Sequence, residues 1–172
     1  FINACDCDWG GNFIKSSQYG NLILSGKVIA RTFHLQNGER FSNKEEAIKK
    51  HLENEYDEYY GMGESVTIEI LELIRGQELR KTIEIFDSDG ADCRESTGYF
   101  EIGKFYVFNI YKPNRSEPKL PNETPDDFAV FGCSENWVEY LPESNEVRGH
   151  IKGLNRGKTR TYPYNRLKRK IT

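Results

Sequence analysis

Four cysteines set the terms on which this chain can fold: Cys5 and Cys7, one residue apart, and Cys93 and Cys133 far downstream. No Cys-x-x-Cys occurs, so a thioredoxin-type motif and the paired knuckles of a zinc ribbon are both absent. An even count at these spacings reads as a disulfide framework. Four cysteines allow three pairings, and joining Cys5 to Cys7 would close a very short ring, so the favoured frameworks tie both N-terminal cysteines to the two distant ones. Each such bridge closes a long loop and is worth on the order of 4 kcal/mol in the loop-entropy model. A framework of this kind implies an oxidising compartment.

The start of the chain fits that compartment. Phe1-Ile2-Asn3-Ala4 reads as the remnant of a signal peptide, with the small Ala4 suited to the position before a cleavage site. Ile2-Asn3-Ala4-Cys5 also resembles a bacterial lipobox, in which Cys5 would be acylated and anchor the chain to a membrane. A lipidated Cys5 could not form a bridge and would leave one thiol of the four over. Both readings place the protein outside the cytoplasm, as a secreted, periplasmic or cell-surface molecule. No apolar run approaches the roughly 18 residues of a membrane helix. At 172 residues, 37% of them hydrophobic, the chain is long and apolar enough for one packed core.

Charge divides the chain unevenly. Residues 148–172 hold nine of the 24 Lys and Arg and no acid, which leaves 15 basic against 27 acidic residues in the first 147, a local net charge of −12. The expected organisation is therefore a domain over 5–147 followed by a basic extension over 148–172. Such an extension can meet a polyanion, acidic lipid or nucleic acid. The plainer expectation is a solvated face, or a partner for the protein's own acidic body.

Alternation predicts a strand from about Asn21 to Leu35, with Gly26 marking a bulge or bend. Ser42-Asn43-Lys44-Glu45 reads as a capping box, and Ile48, Leu52, Tyr56 and Tyr59 follow at helical spacing, predicting an amphipathic helix over 43–60. Val66, Ile68 and Ile70 alternate, then Leu71 and Leu73 continue in the opposite phase, as in a long bulged strand. Gly76-Gln77 predicts a turn, with Leu79–Phe86 as the returning strand. Phe105–Tyr111 is a strand apolar on both faces. Pro113, Pro118, Pro121 and Pro125 punctuate an exposed loop, and a strand resumes over Phe128–Cys133. Five strands, one helix and no βαβ alternation predict a mainly β fold, a small antiparallel barrel.

These residues carry a resemblance. Cys5-Asp6-Cys7, Cys93 followed by Gly98-Tyr99-Phe100 and Ile102-Gly103-Lys104, and Cys133 followed by Trp137 resemble the family of the tissue inhibitors of metalloproteinases (TIMP) and the netrin (NTR) modules. The likeness spans roughly Cys5 to Tyr140. It implies an OB-fold, a five-stranded antiparallel barrel, with the 43–60 helix inserted between the first two strands. It also implies the pairs Cys5 with Cys93 and Cys7 with Cys133. The family's third bridge in this domain has no cysteines here.

In inhibitory members of that family the first cysteine's amine and carbonyl chelate a protease's catalytic zinc. Carried over, Cys5 is the chelator, Asp6 the residue entering the specificity pocket and Cys7 the second staple, with Asp8 completing the contact edge. Asp6 departs from the small hydroxylated residue of the inhibitors, because a carboxylate buried in an apolar pocket costs several kcal/mol unless paired. The resemblance therefore implies first an exported binding module with a protein partner, and second a metalloprotease inhibitor or a lipid-anchored lipoprotein. The expected state is a monomer, and the expected membrane contact is only through a lipid on Cys5.

Other constellations say less. Asp87, Asp89 and Asp92 echo a calcium loop, but Ala91 and Gly98 stand where the EF-hand pattern needs a ligand and a glutamate, so a solvated turn is expected. His34, His51 and His150 are scattered without ligand spacing; a zinc site on Cys5, Asp6, Cys7 and Asp8 with a distant histidine is the weaker alternative. No HExxH, nucleophile elbow or glycine-rich phosphate loop occurs, so neither catalysis nor a cofactor is expected. The aromatic residues Tyr99, Phe105, Tyr106 and Tyr111 have core-like spacing on an acidic body, which speaks against nucleic acid. Asn114-Arg115-Ser116 and Asn122-Glu123-Thr124 fit the glycosylation sequon.

Overall fold

The computed structural model describes residues 7–54, 62–88, 92–113, 120–153 and 158–172. Its centre is β1 (Leu22–Leu35). One edge of β1 pairs with β3 (Met62–Arg75), and β3 pairs in turn with β4 (Thr82–Phe86). The other edge pairs with β5 (Phe105–Tyr111). Along its far side β5 meets β6 (Ala129–Val130) and then β7 (Trp137–Leu141), set end to end. β8 (Glu146–Gly149) and β9 (Arg160–Pro163) extend the sheet, while the short β2 (Arg40–Phe41) folds back on β1. The fold is thus mainly β, an antiparallel sheet of nine strands whose path from β4 to β9 is open. Three helices accompany it among the described residues: α1 (Phe13–Ser16), α2 (Lys44–Glu53) and α3 (Tyr164–Ile171).

The expected bulges lie where the sequence changes phase. Ser25 faces Glu72 and Gly26 faces Ile70, so Leu71 is the extra residue, and Leu73 returns opposite Leu24. A side chain at Gly26 would collide with Ile68 Cγ2 and lie 2.9 Å from Glu69 O. Glycine is required there for close approach rather than for an unusual dihedral.

The two-sided apolar character of β5 has a direct cause: the sheet has a core on each face. Leu22, Leu24, Val66, Ile68, Ile83, Ile85, Phe100, Tyr106, Phe108, Ile110, Phe128 and Val130 belong to one buried cluster. Ile23 and Val107, of opposite parity on the same strands, join Phe13, Val138, Val147, Tyr162, Leu167 and Ile171 in a second. Each fully buried Phe or Leu contributes roughly 2 to 3 kcal/mol by area. Phe100 is aimed into the first cluster by a polar anchor. Glu64 pairs with Arg31 and accepts from Thr97 Oγ1 at 2.8 Å, and Arg31 donates to Thr97 O and Phe100 O at 3.1 and 2.9 Å.

Several expectations are corrected. β4 begins at Thr82, not Leu79, because the Glu78 carboxylate accepts from the backbone N–H of Leu79 and Arg80 and holds them in a loop, leaving Leu79 fully exposed. The strand expected over Phe128–Cys133 shrinks to Ala129–Val130. In α2 the cap is Asn43 rather than Ser42, its side chain accepting from Glu45 N–H and Glu46 N–H, and the helix ends at Glu53. Residues 55–60 of the expected helix lie outside the described residues. The buried face of α2 holds Ala47 and His51, while Ile48 and Leu52 are exposed. Small Ala47 is fully buried on a helix that packs against β1 and β2, a role that the spacing of large apolar residues does not reveal. Residues 137–171 supply β7, β8, β9 and α3, the greater part of the second core, and so raise the element count above five strands and one helix.

Candidate functional site

The sulfur cluster sits where the N-terminal segment crosses the loop between β6 and β7. Cys7 is bridged to Cys133, with Cα atoms 6.0 Å apart. Backbone bonds seat the segment: Gly10 N–H donates to Cys133 O at 2.7 Å, and Glu135 N–H to Gly11 O at 3.0 Å. Farther along, Phe13 N–H and Ile14 N–H donate to His150 O and Ile151 O, tying α1 to the stretch after β8. The Trp9 indole stacks on the buried His150 imidazole, ring centres 5.2 Å apart and nearly parallel.

Cys93 arrives from the third direction. Residues 93–95 run antiparallel to 130–132, with Gly132 N–H donating to Cys93 O and Glu95 N–H to Val130 O, both at 2.7 Å. The sulfurs of Cys7, Cys93 and Cys133 lie within 4.8 Å of one another, and no cysteine among the described residues is free. Holding this approach is Arg94, whose side chain is 3% exposed and pairs with Asp92 at 2.6 Å and Glu123 at 2.8 Å. Charges buried this deeply persist only when paired and hydrogen-bonded.

A cleft of about 370 Å³ opens at the cluster, lined by Cys7, Trp9, Cys93, Arg94, Glu95 and Cys133 among others. Burial holds the Glu95 carboxyl above its ordinary range, against the opposing pull of hydrogen bonds from Trp137 and Ser96 N–H. Beside it a more apolar cleft of about 390 Å³ is lined by Tyr19, Gly20, Asn109, Tyr111, Phe131 and Asn136 among others. The Asn109 amide donates to Asn136 Oδ1 at 2.6 Å and to Ser16 O at 3.3 Å, fixing α1 against β5.

Of the residues singled out in the sequence, Cys7, Cys93 and Cys133 come together, and Asp8 is exposed next to them. Cys5 and Asp6 lie outside the described residues, as does Asp89. Asp87 and Asp92 are engaged with the protein itself. Asp87 Oδ1 accepts from Ser88 N–H and Thr97 N–H, and Asp92 Oδ1 from Ser88 Oγ and Arg94 N–H, in addition to the Arg94 ion pair. Asn122 of the second sequon is committed too, its amide donating to His34 Nδ1 and to Gly38 O, both at 3.3 Å. Asn114 lies outside the described residues.

Sequence reading missed Arg94, Glu123, Trp9 and His150. A charged residue directly after Cys93 was a visible signal, but Glu123 lies in a proline-rich loop, where a charge looks solvated. Among the described residues no helix is long and apolar enough to cross a membrane. No protein-family model matches the chain, and no curated protein matches it.

Proposed function

We propose that the chain is an exported, disulfide-braced binding module of the TIMP and netrin-module type, acting through its surface on a protein partner. The observation that carries this reading is the Cys7–Cys133 bridge with Cys93 alongside, one of the two pairs that the resemblance implies. Four strands in the order β4-β3-β1-β5, with β6 on the far side of β5, are compatible with an OB-type barrel. The seam of such a barrel needs a contact between its third and fifth strands. Phe128 supplies one, accepting from Phe86 N–H at 2.8 Å and donating to Glu84 O at 3.1 Å in a parallel bridge between Ile85 and Phe128.

A binding role is favoured because the most buried carboxylates at the sulfur cluster, Asp92 and Glu123, are occupied by Arg94, which makes this edge a rigid frame. Rigid frames bind with less ordering cost. The test is fractionation of the native host followed by alkylation without reductant. The reading predicts protein outside the cytoplasm with no alkylatable thiol; cytoplasmic protein with free thiols contradicts it. A free Cys5 amine in that material would direct a metalloprotease inhibition screen, whereas exported protein with Cys5 acylated and one thiol left to alkylate would make the module membrane-tethered.

A further inference from the structure

Three sulfurs share one cleft, and they are not equally reachable. Cys7 is exposed, Cys93 half-buried and Cys133 only 5% exposed. Of the two ends of the Cys7–Cys133 bridge, Cys7 is therefore the one open to an incoming nucleophile. The cleft of about 370 Å³ that all three line has room for a small thiol. Cys133 stands beside Cys93 because Gly132 has no side chain. A Cβ there would lie 3.2 Å from Arg94 O and 3.3 Å from Cys93 O, and Gly132 N–H donates to Cys93 O at 2.7 Å. All three sulfurs fall within 4.8 Å of one another, and Cys93 is itself disulfide-bonded.

We propose that Cys7 is an exchange site for small uncharged thiols, and that Cys133, once displaced, takes Cys93 as its new partner. Such exchange presupposes the disulfide framework of the proposed module. A thiolate attacks Cys7 Sγ in line with the Cys7–Cys133 bond. The incoming sulfur bonds to Cys7, the Cys7–Cys133 bond breaks, and its electron pair leaves on Cys133. A thiolate placed so deeply is poorly solvated, which disfavours it as a resting state and favours its onward attack. With the Cys93 sulfur within reach, the second step is intramolecular and outruns attack by a second external thiol. Cys133 bonds to Cys93, the electron pair of the older Cys93 bond leaves on the sulfur formerly joined to Cys93, and that sulfur takes a proton from water. Two disulfide bonds break and two form, so no oxidant is needed. Charge selects the thiol. Asp92 and Glu95 line the cleft with Arg94, and exposed Asp8 adjoins Cys7, so acids outnumber the cation and repel a thiol that carries a carboxylate. The exchange removes the covalent tie between Cys7 and the β6–β7 loop, and the backbone bonds of Gly10 and Gly11 then hold the segment there.

The experiment treats the full chain, its bridges first mapped under non-reducing conditions, with 2-mercaptoethanol at about pH 8 without denaturant. Acid quench, alkylation and peptide mapping by mass spectrometry follow. The early product should carry 2-mercaptoethanol on Cys7 together with a Cys93–Cys133 linkage. Mercaptoacetate at the same thiolate concentration should react at least about threefold more slowly. Asp8→Asn should narrow that gap about two- to threefold, the effect of one unit charge about 7 Å away in water. An adduct on Cys93 or Cys133 instead of Cys7, alkylated Cys133 beside an intact Cys93 bridge, or equal rates for the two thiols overturns the proposal. Cys7 and Cys133 found as thiols before any thiol is added would fault the framework, and the proposal with it. An intact framework that yields no Cys93–Cys133 linkage overturns the exchange and leaves the framework standing.

Discussion

Arg94 and Glu123 meet at 2.8 Å with side chains 3% and 1% exposed, joining the segment that carries Cys93 to the loop between β5 and β6. Asp92 holds the guanidinium from another side. Glu123→Gln leaves the buried guanidinium with Asp92 alone and removes one charged hydrogen bond, so it is expected to cost about 1.5 to 3 kcal/mol. Urea denaturation checks this, and Arg94→Met combined with Glu123→Leu should cost less than the two single changes together. A loss below about 1 kcal/mol for Glu123→Gln would show that the triad is not the anchor of this edge.

The Cys7–Cys133 bridge spans 126 residues of sequence. Closing so long a loop restricts the unfolded chain, and Cys7→Ser with Cys133→Ser is expected to lower stability by roughly 4 kcal/mol in the chain-entropy model. The loss should appear chiefly as a lower denaturation midpoint. A melting temperature unchanged from that of the parent would mean that the backbone bonds from Gly10 and Glu135 hold the segment unaided.

His34 gives the fold an acid sensitivity. Burial holds its imidazole down at about 4, the nearby Arg40 charge adds to this, and Asp127 opposes it. Geometry supplies a further reason: the Asn122 amide donates to Nδ1 and also to Gly38 O, so Nδ1 must accept, while Nε2 lies 2.7 Å from Ser65 Oγ. Because the folded value lies below the ordinary 6.5, the unfolded chain takes up this proton first. The contribution of His34 is complete above pH 6.5 and is lost as pH falls from 6.5 toward 4. Thermal melts across that range should show a declining midpoint, with a shallower decline in His34→Gln. Parallel declines in the two proteins would assign the sensitivity to other groups.

Gly26 tests the packing of the bulge. A methyl group there must displace Ile68 Cγ2 and sits against Glu69 O, so Gly26→Ala is expected to destabilise by about 1 to 3 kcal/mol. Gly26→Ala combined with Ile68→Leu, which removes the Cγ2 branch from that position, should recover part of that loss. A neutral Gly26→Ala would mean that β1 and β3 can separate at the bulge without cost.

Long strands were legible in their extent. β1 and β5 match their expected bounds to within a residue, and the phase change at Leu71 marks the bulge. What escaped was decided by partners distant in sequence. The α2 face turned on the fit of Ala47 against β1 and β2, and the role of Glu123 on Arg94, which lies outside the proline-rich loop. Tyr164, Leu167 and Ile171 do have helical spacing, but the surrounding lysines and arginines made the segment read as a solvated tail. At the candidate site the cysteines showed that a framework exists. Only the fold showed that Arg94, Trp9 and His150 brace it.

A two-bridge framework of the kind the resemblance implies is decided by non-reducing peptide mapping with mass spectrometry. Protein recovered from its native host should yield a peptide pair joined through Cys7 and Cys133 and a second joined through Cys5 and Cys93. A Cys7–Cys93 linkage, or Cys7 and Cys133 recovered as thiols, would rule that framework out.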